Sequence, residues 1–262
     1  MPRVTSRDNP RLAELARLVA SSRDRRKSGR CVLEGDHLVA VYLDRVGRPE
    51  TMVLAEDRAA DPRIAALASR MPPCDVLVVR ASLFAEVASA PADVGVLAVV
   101  AAPRARLPAP ARRHLLLDGL QDPGNVGTIL RTAAAAGVTQ VLMSKHCAFA
   151  WSPKALRAGQ GAHFLTAIVE DVDLARWSAD FRAQGGAVVA TTAHEAVDLY
   201  EAEIREPWAV AIGNEGSGLS PALLAAASAR VAIPMPGGTE SLNAAAAAAV
   251  VLFELVRRRR GR

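Results

Sequence analysis

A short apolar strand, a loop rich in proline and glycine, and a long apolar helix follow one another in residues 231–254. Such a loop exposes main-chain N–H and C=O groups, and the N-terminus of the next helix adds partial positive charge. Polar atoms of a small molecule can be held there. The residues alone leave a structural alternative open, in which Ser241 caps the helix and the six alanines 244–249 pack closely against another element.

Apolar strands and helices alternate along the chain, and this alternation predicts an α/β fold with largely parallel sheets. Residues 101–113 interrupt it with three prolines and four arginines and without apolar periodicity, so they are predicted to form a stiff, basic linker. A chain of 262 residues suits two domains of ordinary size. The predicted domains are therefore residues 1–100 and residues 114–262.

The apolar pattern also predicts the individual elements. In the first domain they are helix 9–22, strand 31–33, helix 36–45, strand 51–55, helix 62–70, strand 75–79, helix 81–88 and strand 94–100. In the second they are strand 115–117, helix 126–136, strand 140–144, helix 153–158, strand 167–169, helix 174–184, strands 187–191 and 208–212, helix 221–227, strand 231–233 and a helix from about 242 to 257.

Composition argues against several classes of protein. Charged residues or prolines interrupt every apolar stretch before the roughly 20 residues that span a bilayer, and no apolar core follows the basic N-terminus. We therefore expect a cytoplasmic protein. Cys31, Cys74 and Cys147 are odd in number and form no CxxC pair, which predicts buried reduced thiols rather than disulfides or a zinc site. The five histidines lack metal-ligand spacing, so no metal is expected.

Positive charge is concentrated at both ends of the chain. Residues 1–30 contain nine Lys or Arg and three acidic residues, a net charge of +6 that exceeds the +5 of the whole chain. The predicted helix 9–22 has its arginines facing outward. The arginines 257–260 and Arg262 form a second basic cluster. Two basic ends indicate contact with nucleic acid, and a solvated helix face with a frayed tail is the alternative.

Three polar loops in the second domain each follow a predicted strand, at the end where open α/β sheets place their ligands. They are residues 118–125, 213–218 and 234–238. Asn125 offers a donor and an acceptor, Arg131 offers donors suited to a phosphate, and Glu215 lies among three glycines. Taken singly, Arg131 and Glu215 are more simply explained as solvated surface residues. Neither a GxGxxG with its distant acid nor a GxxxxGK[ST] occurs, which argues against an NAD site and a P-loop.

Three sequence segments carry a family resemblance: LDGLQDPGNVGTILRTAAAAGV at 117–138, AIGNEGSGL at 211–219 and IPMPGGTESLNAAAAAAVVLFE at 233–254. In order and spacing they resemble the three signature motifs of the SpoU/TrmH branch of the SPOUT RNA methyltransferases, and the match covers roughly residues 114–258. Residues 152–162 resemble a further family segment. Residues 5–10 and 32–35 resemble, less specifically, the ribosomal-protein-like substrate-binding domain of many members.

The resemblance implies a ribose 2′-O-methyltransferase that uses S-adenosylmethionine. It also implies a C-terminal SPOUT domain with a parallel sheet and a deep trefoil knot, homodimerisation through that domain, and a smaller N-terminal α/β RNA-binding domain. By position, the active-site residues that match are Asn125, Arg131, Glu215, Ser241 and Asn243. The cofactor-contact positions that match are Gly213, Ile233 and Leu242, with Thr191 as a weaker candidate.

The implied chemistry assigns hypothetical roles to these side chains. A sulfonium methyl group is already activated, so neither metal nor covalent intermediate is needed, and the ribose oxygen must be placed in line with it. Arg131 is expected to anchor the adjacent phosphate and favour the developing oxyanion, because a guanidinium does not lose its proton. Asn125, Ser241 and Asn243 are expected to orient the hydroxyl. Glu215 orients this set or accepts the proton.

The N-terminal domain is expected to bind RNA phosphates without reading sequence. The candidate RNA-binding residues are Arg7, Arg11, Arg25, Arg26 and Lys27. Ribosomal RNA is the preferred substrate by analogy with family members that carry a separate N-terminal domain. Two alternatives stay open: a tRNA 2′-O-methyltransferase, and a non-enzymatic RNA-binding or ribosome-assembly protein. The last predicts the loss of active-site residues, and here all five are present.

Overall fold

The computed structural model describes residues 1–89, 94–103 and 112–260. The chain divides into two compact units, Met1–Arg104 with Trp151–Phe164, and Ala105–Ala150 with Leu165–Arg262. Most of the predicted linker, at residues 104–111, lies outside the described residues. The predicted domain limits did not include the insertion of Trp151–Phe164 into the first unit.

The helices and strands alternate nearly as predicted. Up to residue 101 they are β1 (Arg3–Val4), α1 (Pro10–Ala20), α2 (Ser22–Ser28), β2 (Arg30–Glu34), α3 (Asp36–Arg45), β3 (Thr51–Ala55), α4 (Pro62–Ala68), β4 (Val76–Val79), α5 (Ala81–Val87) and β5 (Val96–Ala101). From residue 113 they are β6 (Arg113–Leu117), α6 (Pro123–Ala135), β7 (Gln140–Met143), α7 (Pro153–Gly159), β8 (Ala167–Val169), α8 (Leu174–Ala183), β9 (Ala187–Thr191), β10 (Val197–Asp198), β11 (Trp208–Ile212), α9 (Pro221–Ala226), β12 (Ala229–Ala232) and α10 (Ala244–Arg260).

The first unit is built on a mixed five-stranded sheet in the order β1-β4-β3-β5-β2. Strands β1, β4 and β3 pair in parallel, whereas β5 runs antiparallel to both β3 and β2. The prediction of a largely parallel sheet is therefore wrong for this unit, because an apolar run fixes a strand but not its direction. Helices α1 and α5 cover one face of the sheet, and Leu12, Leu15 and Leu18 of α1 enter that core.

The second unit contains a seven-stranded sheet in the order β10-β12-β9-β11-β6-β7-β8, and every pair in it is parallel. This result confirms the predicted parallel α/β architecture of the C-terminal half. Strands β12, β9, β11 and β6 are consecutive neighbours, so the loops at their carboxyl ends lie along one edge. The three polar loops singled out in the sequence follow β6, β11 and β12 and therefore meet at that edge.

Several local predictions are corrected. Residues 22–28 form helix α2, where no separate element was predicted between helix 9–22 and strand 31–33, and two short strands, β1 and β10, were not predicted. Cys31 and Cys147 are buried, and burial raises the pKa of the Cys31 thiol to about 12, but Cys74 is exposed. In the part of the chain that the structure describes, no helix is long and apolar enough to cross a membrane.

Candidate active site

The loop after β11 forms a tight turn against its own chain. Asn214 and Gly218 exchange two main-chain hydrogen bonds, of 2.9 and 3.0 Å, and close the turn that presents Glu215. A β-carbon at Gly213 would lie 2.3 Å from the carbonyl carbon of Gly218, so the fold has no room for a side chain at that position. Glycine is required here by the close approach of two main-chain segments.

Asn125 lies in the first turn of α6, directly after the loop that follows β6. Asp122 caps this helix by accepting a 2.9 Å hydrogen bond from the Asn125 main-chain N–H. The cap fixes the main chain of Asn125, so its side chain projects from the edge where the three loops meet. The predicted helix began at residue 126, three residues after the observed start at Pro123.

A single hydrogen-bonded chain joins Asn125 and Glu215, from the first two loops, to Asn243, which ends the segment 233–243 between β12 and α10. Asn125 Nδ2 donates to Glu215 Oε1 at 2.7 Å, and Asn125 Oδ1 accepts from Asn243 Nδ2 at 3.0 Å. Asn243 in turn caps α10, because its Oδ1 accepts from the main-chain N–H of Ala245 at 2.9 Å. The structure therefore brings together three of the five predicted active-site residues: an acceptor carboxylate, a bridging amide and a second amide.

The other two predicted active-site residues lie outside this hydrogen-bonded chain. Ser241 is exposed and lines a neighbouring cleft two residues before Asn243. Arg131 is exposed on α6, and among the described residues it has no hydrogen-bond or ion-pair partner. Six residues along a helix place Arg131 roughly 9 Å beyond Asn125 and about 120° around the axis. Arg131 is thus available to a ligand but does not hold the other four residues in place.

A cleft of about 460 Å³ lies beside these residues at the carboxyl ends of β9, β11 and β12. All four predicted cofactor residues line it, namely Thr191, Gly213, Ile233 and Leu242, and so do Glu215 and Ser241. Its volume is in the range that takes a ligand of cofactor size. The Thr191 hydroxyl donates to the main-chain oxygen of Ala211 at 2.7 Å, which ties the ends of two neighbouring strands together.

The lining of the cleft suits S-adenosylmethionine. Ile212, Leu219 and Leu242 supply apolar walls, and the turn 213–218 supplies main-chain polar groups in close approach. Glu215 and Glu240 are the acidic residues of the lining, which contains no Lys or Arg. A sulfonium ion is positively charged, and carboxylates without competing cations favour such a ligand. The residues present therefore fit the cofactor that the resemblance implies.

Two residues of the site were missed in the sequence. Asn214 holds the turn that carries Glu215, and the carboxylate of Asp118, 8% exposed, accepts a 2.9 Å hydrogen bond from the main-chain N–H of Ser220. Both lie beside residues that were singled out. For Asn214 the available signal was the residue type, because Asn favours turns in which the side chain bonds the main chain two residues on, here at Gly216. The bond between Asp118 and Ser220 spans 102 residues and has no local signal.

Two of the five predicted RNA-binding residues, Arg25 and Arg11, bond to other groups of the first unit. Arg25 was expected to bind RNA but is only 5% exposed, because its guanidinium donates to the main-chain oxygens of Leu18 and Val19 at the end of α1. Burial lowers its pKa. Arg11 donates to the main-chain oxygen of Cys74 at 2.7 Å and to Thr51 Oγ1 at 3.0 Å. Both side chains therefore serve the fold of the first unit.

The remaining three candidates are at the surface. Arg7 is exposed but pairs with Glu86, whereas Arg26 and Lys27 are exposed on α2. At the other basic end, α10 extends through Arg260, and Glu254 accepts hydrogen bonds from Arg257 and Arg258. Two arginines of the second basic cluster, Arg257 and Arg258, are therefore partly neutralised within their own helix, and Arg262 lies outside the described residues.

Comparison with known proteins identifies a family over the C-terminal part of the chain and relatives over nearly its whole length. Residues 112–253 match the model of the SpoU rRNA Methylase family. A protein of Synechocystis described as an uncharacterized tRNA/rRNA methyltransferase is 36% identical over 96% of this chain and 92% of its own. The 23S rRNA (guanosine(2553)-2′-O)-methyltransferase RlmP of Bacillus subtilis is 32% identical over 97% of this chain and 99% of its own.

A solved structure shows the same architecture. The SpoU methyltransferase AviRb of Streptomyces viridochromogenes, crystallised in complex with AdoMet, superposes with a TM-score of 0.84 at 28% identity. The superposition covers 96% of this chain and 98% of AviRb. The similarity therefore extends over both units and beyond the family motifs.

Proposed function

This chain belongs to the SpoU rRNA methylase family, and on that premise we propose that it transfers the methyl group of S-adenosylmethionine to a ribose 2′-hydroxyl of ribosomal RNA. The observation that carries the proposal is the hydrogen-bonded chain Glu215–Asn125–Asn243 at the mouth of a cofactor-sized cleft. It supplies one carboxylate and two amides where a hydroxyl must be oriented and deprotonated.

The roles follow from the hydrogen bonds already made. S-adenosylmethionine, when bound, supplies an electrophilic methyl group that needs only an aligned nucleophile. Asn125 holds Glu215 through one carboxylate oxygen, Oε1, and we assign the other, Oε2, to accept the proton of the ribose hydroxyl. Asn243 and Ser241 orient that hydroxyl. Arg131, which lies apart from this group, anchors an RNA phosphate beside the reacting ribose.

Ribosomal RNA is favoured over tRNA by the extent of the similarity. RlmP, a 23S rRNA methyltransferase by name, matches this chain almost from end to end, including the N-terminal unit. A tRNA substrate stays the second candidate, because the name of the Synechocystis relative includes both RNA classes. Large-subunit ribosomal RNA is therefore the first substrate to test.

The RNA-binding surface is proposed to centre on α2 and the end of α1. Arg17, Arg23 and Lys27 are exposed there and have no partner among the described residues, and Arg26 is exposed beside them. Arg17, Arg23 and Lys27 can neutralise phosphates without first breaking an internal bond. Arg7, which pairs with Glu86, is a weaker contributor.

A homodimer formed through the C-terminal unit and action in the cytoplasm complete the proposal. Phe253 on α10 is 48% exposed, and a large apolar side chain on a long helix suits burial against a second copy. Light scattering coupled to size exclusion tests this proposal. A Phe253→Glu variant that remains dimeric would place the interface elsewhere.

The deciding experiment measures transfer of labelled methyl groups from S-adenosylmethionine to unmodified 23S rRNA and, separately, to unmodified tRNA. Nucleoside digestion then identifies the product. We expect label in a 2′-O-methylnucleoside from rRNA. Label only in tRNA would replace the substrate, and label in a methylated base would overturn the reaction. Cofactor binding without transfer to either RNA would favour the non-enzymatic RNA-binding function.

A further inference from the structure

The side chain of Asn214 bonds two loops of the site at once. Its Oδ1 accepts hydrogen bonds from the main-chain N–H groups of Gly216 at 2.9 Å and Ser217 at 3.0 Å, and from the Ser217 hydroxyl at 3.2 Å. Its Nδ2 donates to the main-chain oxygen of Gly119 at 2.8 Å. The Oδ1 end of the amide thus stabilises the turn that carries Glu215, and the Nδ2 end bonds the loop that leads to Asn125.

The hydrogen bond from Asn214 to Gly119 joins the loops after β6 and β11 just beyond the last paired residues of the two strands. Strands β6 and β11 are paired up to Leu117 and Ile212, but their loops diverge after that point. Besides Asn214, the Asp118 carboxylate bonds the main-chain N–H of Ser220, on the far side of the turn. Residues 118–119 are therefore held at both ends of the turn, and Glu215 lies between the two attachments.

We propose that Asn214 is a positioning residue that sets the Glu215 carboxylate against Asn125 by tying the turn 213–218 to the main chain of Gly119. The inference rests on the proposed methyl transfer. Asn214 lines the cofactor cleft but is assigned no contact with the ribose. Its action is through Glu215, whose Oε1 must remain 2.7 Å from Asn125 Nδ2 for the proton acceptor to be aligned.

Two conservative variants separate the two ends of the amide. Asn214→Asp keeps an acceptor for the turn but points a carboxylate at the Gly119 oxygen, so the tie is replaced by repulsion. Asn214→Ser keeps a short acceptor for the turn, loses the reach to Gly119 and adds no charge. Ser220→Ala is the matched control, because Ser220 lies outside the cleft lining and bonds Asp118 through its main-chain N–H, which alanine keeps.

The readouts are kcat with 23S rRNA, the calorimetric Kd for S-adenosylmethionine, and Tm. We expect both Asn214 variants to lower kcat by roughly 10- to 100-fold, since a small misplacement of a reacting group is that costly. The Kd should change much less than kcat, and Ser220→Ala should change neither. In a Glu215→Gln background the Asn214 variants should add less than about twofold, because they act through the missing carboxylate.

Several results would contradict the positioning role of Asn214. Wild-type kcat in Asn214→Ser, or losses that multiply fully with that of Glu215→Gln, would overturn the positioning role. Equal losses in kcat and in cofactor affinity would show that Asn214 acts by lining the cofactor cleft and not by positioning Glu215. If Asn214→Asp does not fold, Asn214→Ser decides. No transfer by the wild-type chain overturns the proposed function, and with it this inference, whereas an active wild type with an unaffected variant overturns this inference alone.

Discussion

The three loops of the second unit and the basic segment of the first unit use their polar side chains differently. Asn125, Glu215 and Asn243 bond to one another, at a place where a ligand can reach them. Arg11 and Arg25 bond to main-chain oxygens of their own unit and are withdrawn from a ligand. The comparison teaches that residues at parallel strand ends are placed by the sheet, whereas a run of charges is placed by whatever neighbours the fold supplies.

The largest expected effect lies in the loops. Glu215→Gln keeps an acceptor for Asn125 but removes the charge that accepts the proton, so kcat should fall by about 10² to 10⁴. Cofactor binding, measured by calorimetry, should weaken but persist, because Glu240 still supplies a carboxylate to the cleft. Glu240→Gln removes the other carboxylate of the cleft, which has no assigned part in proton transfer, and is the matched control. Turnover that survives Glu215→Gln but not Glu240→Gln would reverse the assignment.

Arg25 tests the opposite side of the comparison. Arg25→Met removes the charged hydrogen-bond donor of the main-chain oxygens of Leu18 and Val19. The free energy of unfolding, measured by urea titration, should therefore fall by about 2–3 kcal/mol. Arg23→Met, at an exposed position of the same helix, should change it by less than about 0.5 kcal/mol. RNA affinity of folded Arg25→Met should equal that of the wild type. A stable variant with weakened RNA binding would return Arg25 to the RNA surface.

Glu254 extends the comparison to the second basic cluster. Hydrogen bonds from Arg257 and then Arg258 lower its pKa from 4.5 to about 2. A carboxyl whose pKa is lowered by folding contributes stability that is fully present above its unfolded pKa and is lost as pH falls toward the folded value. Unfolding free energy should therefore drop between about pH 4.5 and about pH 2. In Glu254→Gln this part of the drop should be missing; an unchanged pH profile would exclude Glu254 as its source.

The smallest effect is expected from single exposed cations. Lys27→Ala should lower the slope of log affinity for RNA against log salt by about 0.7 to 0.9, because one phosphate contact is lost. Arg7→Ala should lower it less, since Arg7 is already paired with Glu86. Filter binding at several salt concentrations measures both slopes. A larger loss for Arg7 than for Lys27 would show that internal pairing does not decide which cations bind RNA.

The same contrast explains what could be predicted from sequence. Strands β3, β9 and β11 have the predicted limits, because each is an apolar run between clear turn residues. Strands β1 and β10 contain two residues each, too few for any period. Strand order and direction depend on contacts distant in sequence, which local spacing does not encode, so the mixed sheet of the first unit was missed. The strand order does not trace how loops pass one another, and the trefoil knot stays a prediction.

More of the active site than of the RNA-binding surface could be predicted from the sequence. Motif positions brought Asn125, Glu215 and Asn243 to one place, but the roles of the five active-site and four cofactor residues remain predictions that the kinetic variants test. Arg25 was misplaced because it was assigned to the RNA surface from its charge alone, in a stretch where no helix was predicted. Helix α2 instead brings its guanidinium onto main-chain oxygens at the end of α1. Asn214 was overlooked because its partners, Gly119 and the turn itself, are main-chain groups.

The segment Trp151–Phe164 has a consequence for how the chain is made. Arg157 donates to the carboxylate of Glu34, which is 4% exposed, and to Ser89 at 2.7 Å, although Arg157 follows Glu34 by 123 residues. A buried carboxylate without its cation is unfavourable. Synthesis at about 5–20 residues per second separates the two by roughly 6 to 25 s. The N-terminal unit therefore completes its packing only after about a third of the catalytic unit has been synthesised, so the two mature together rather than in order of translation.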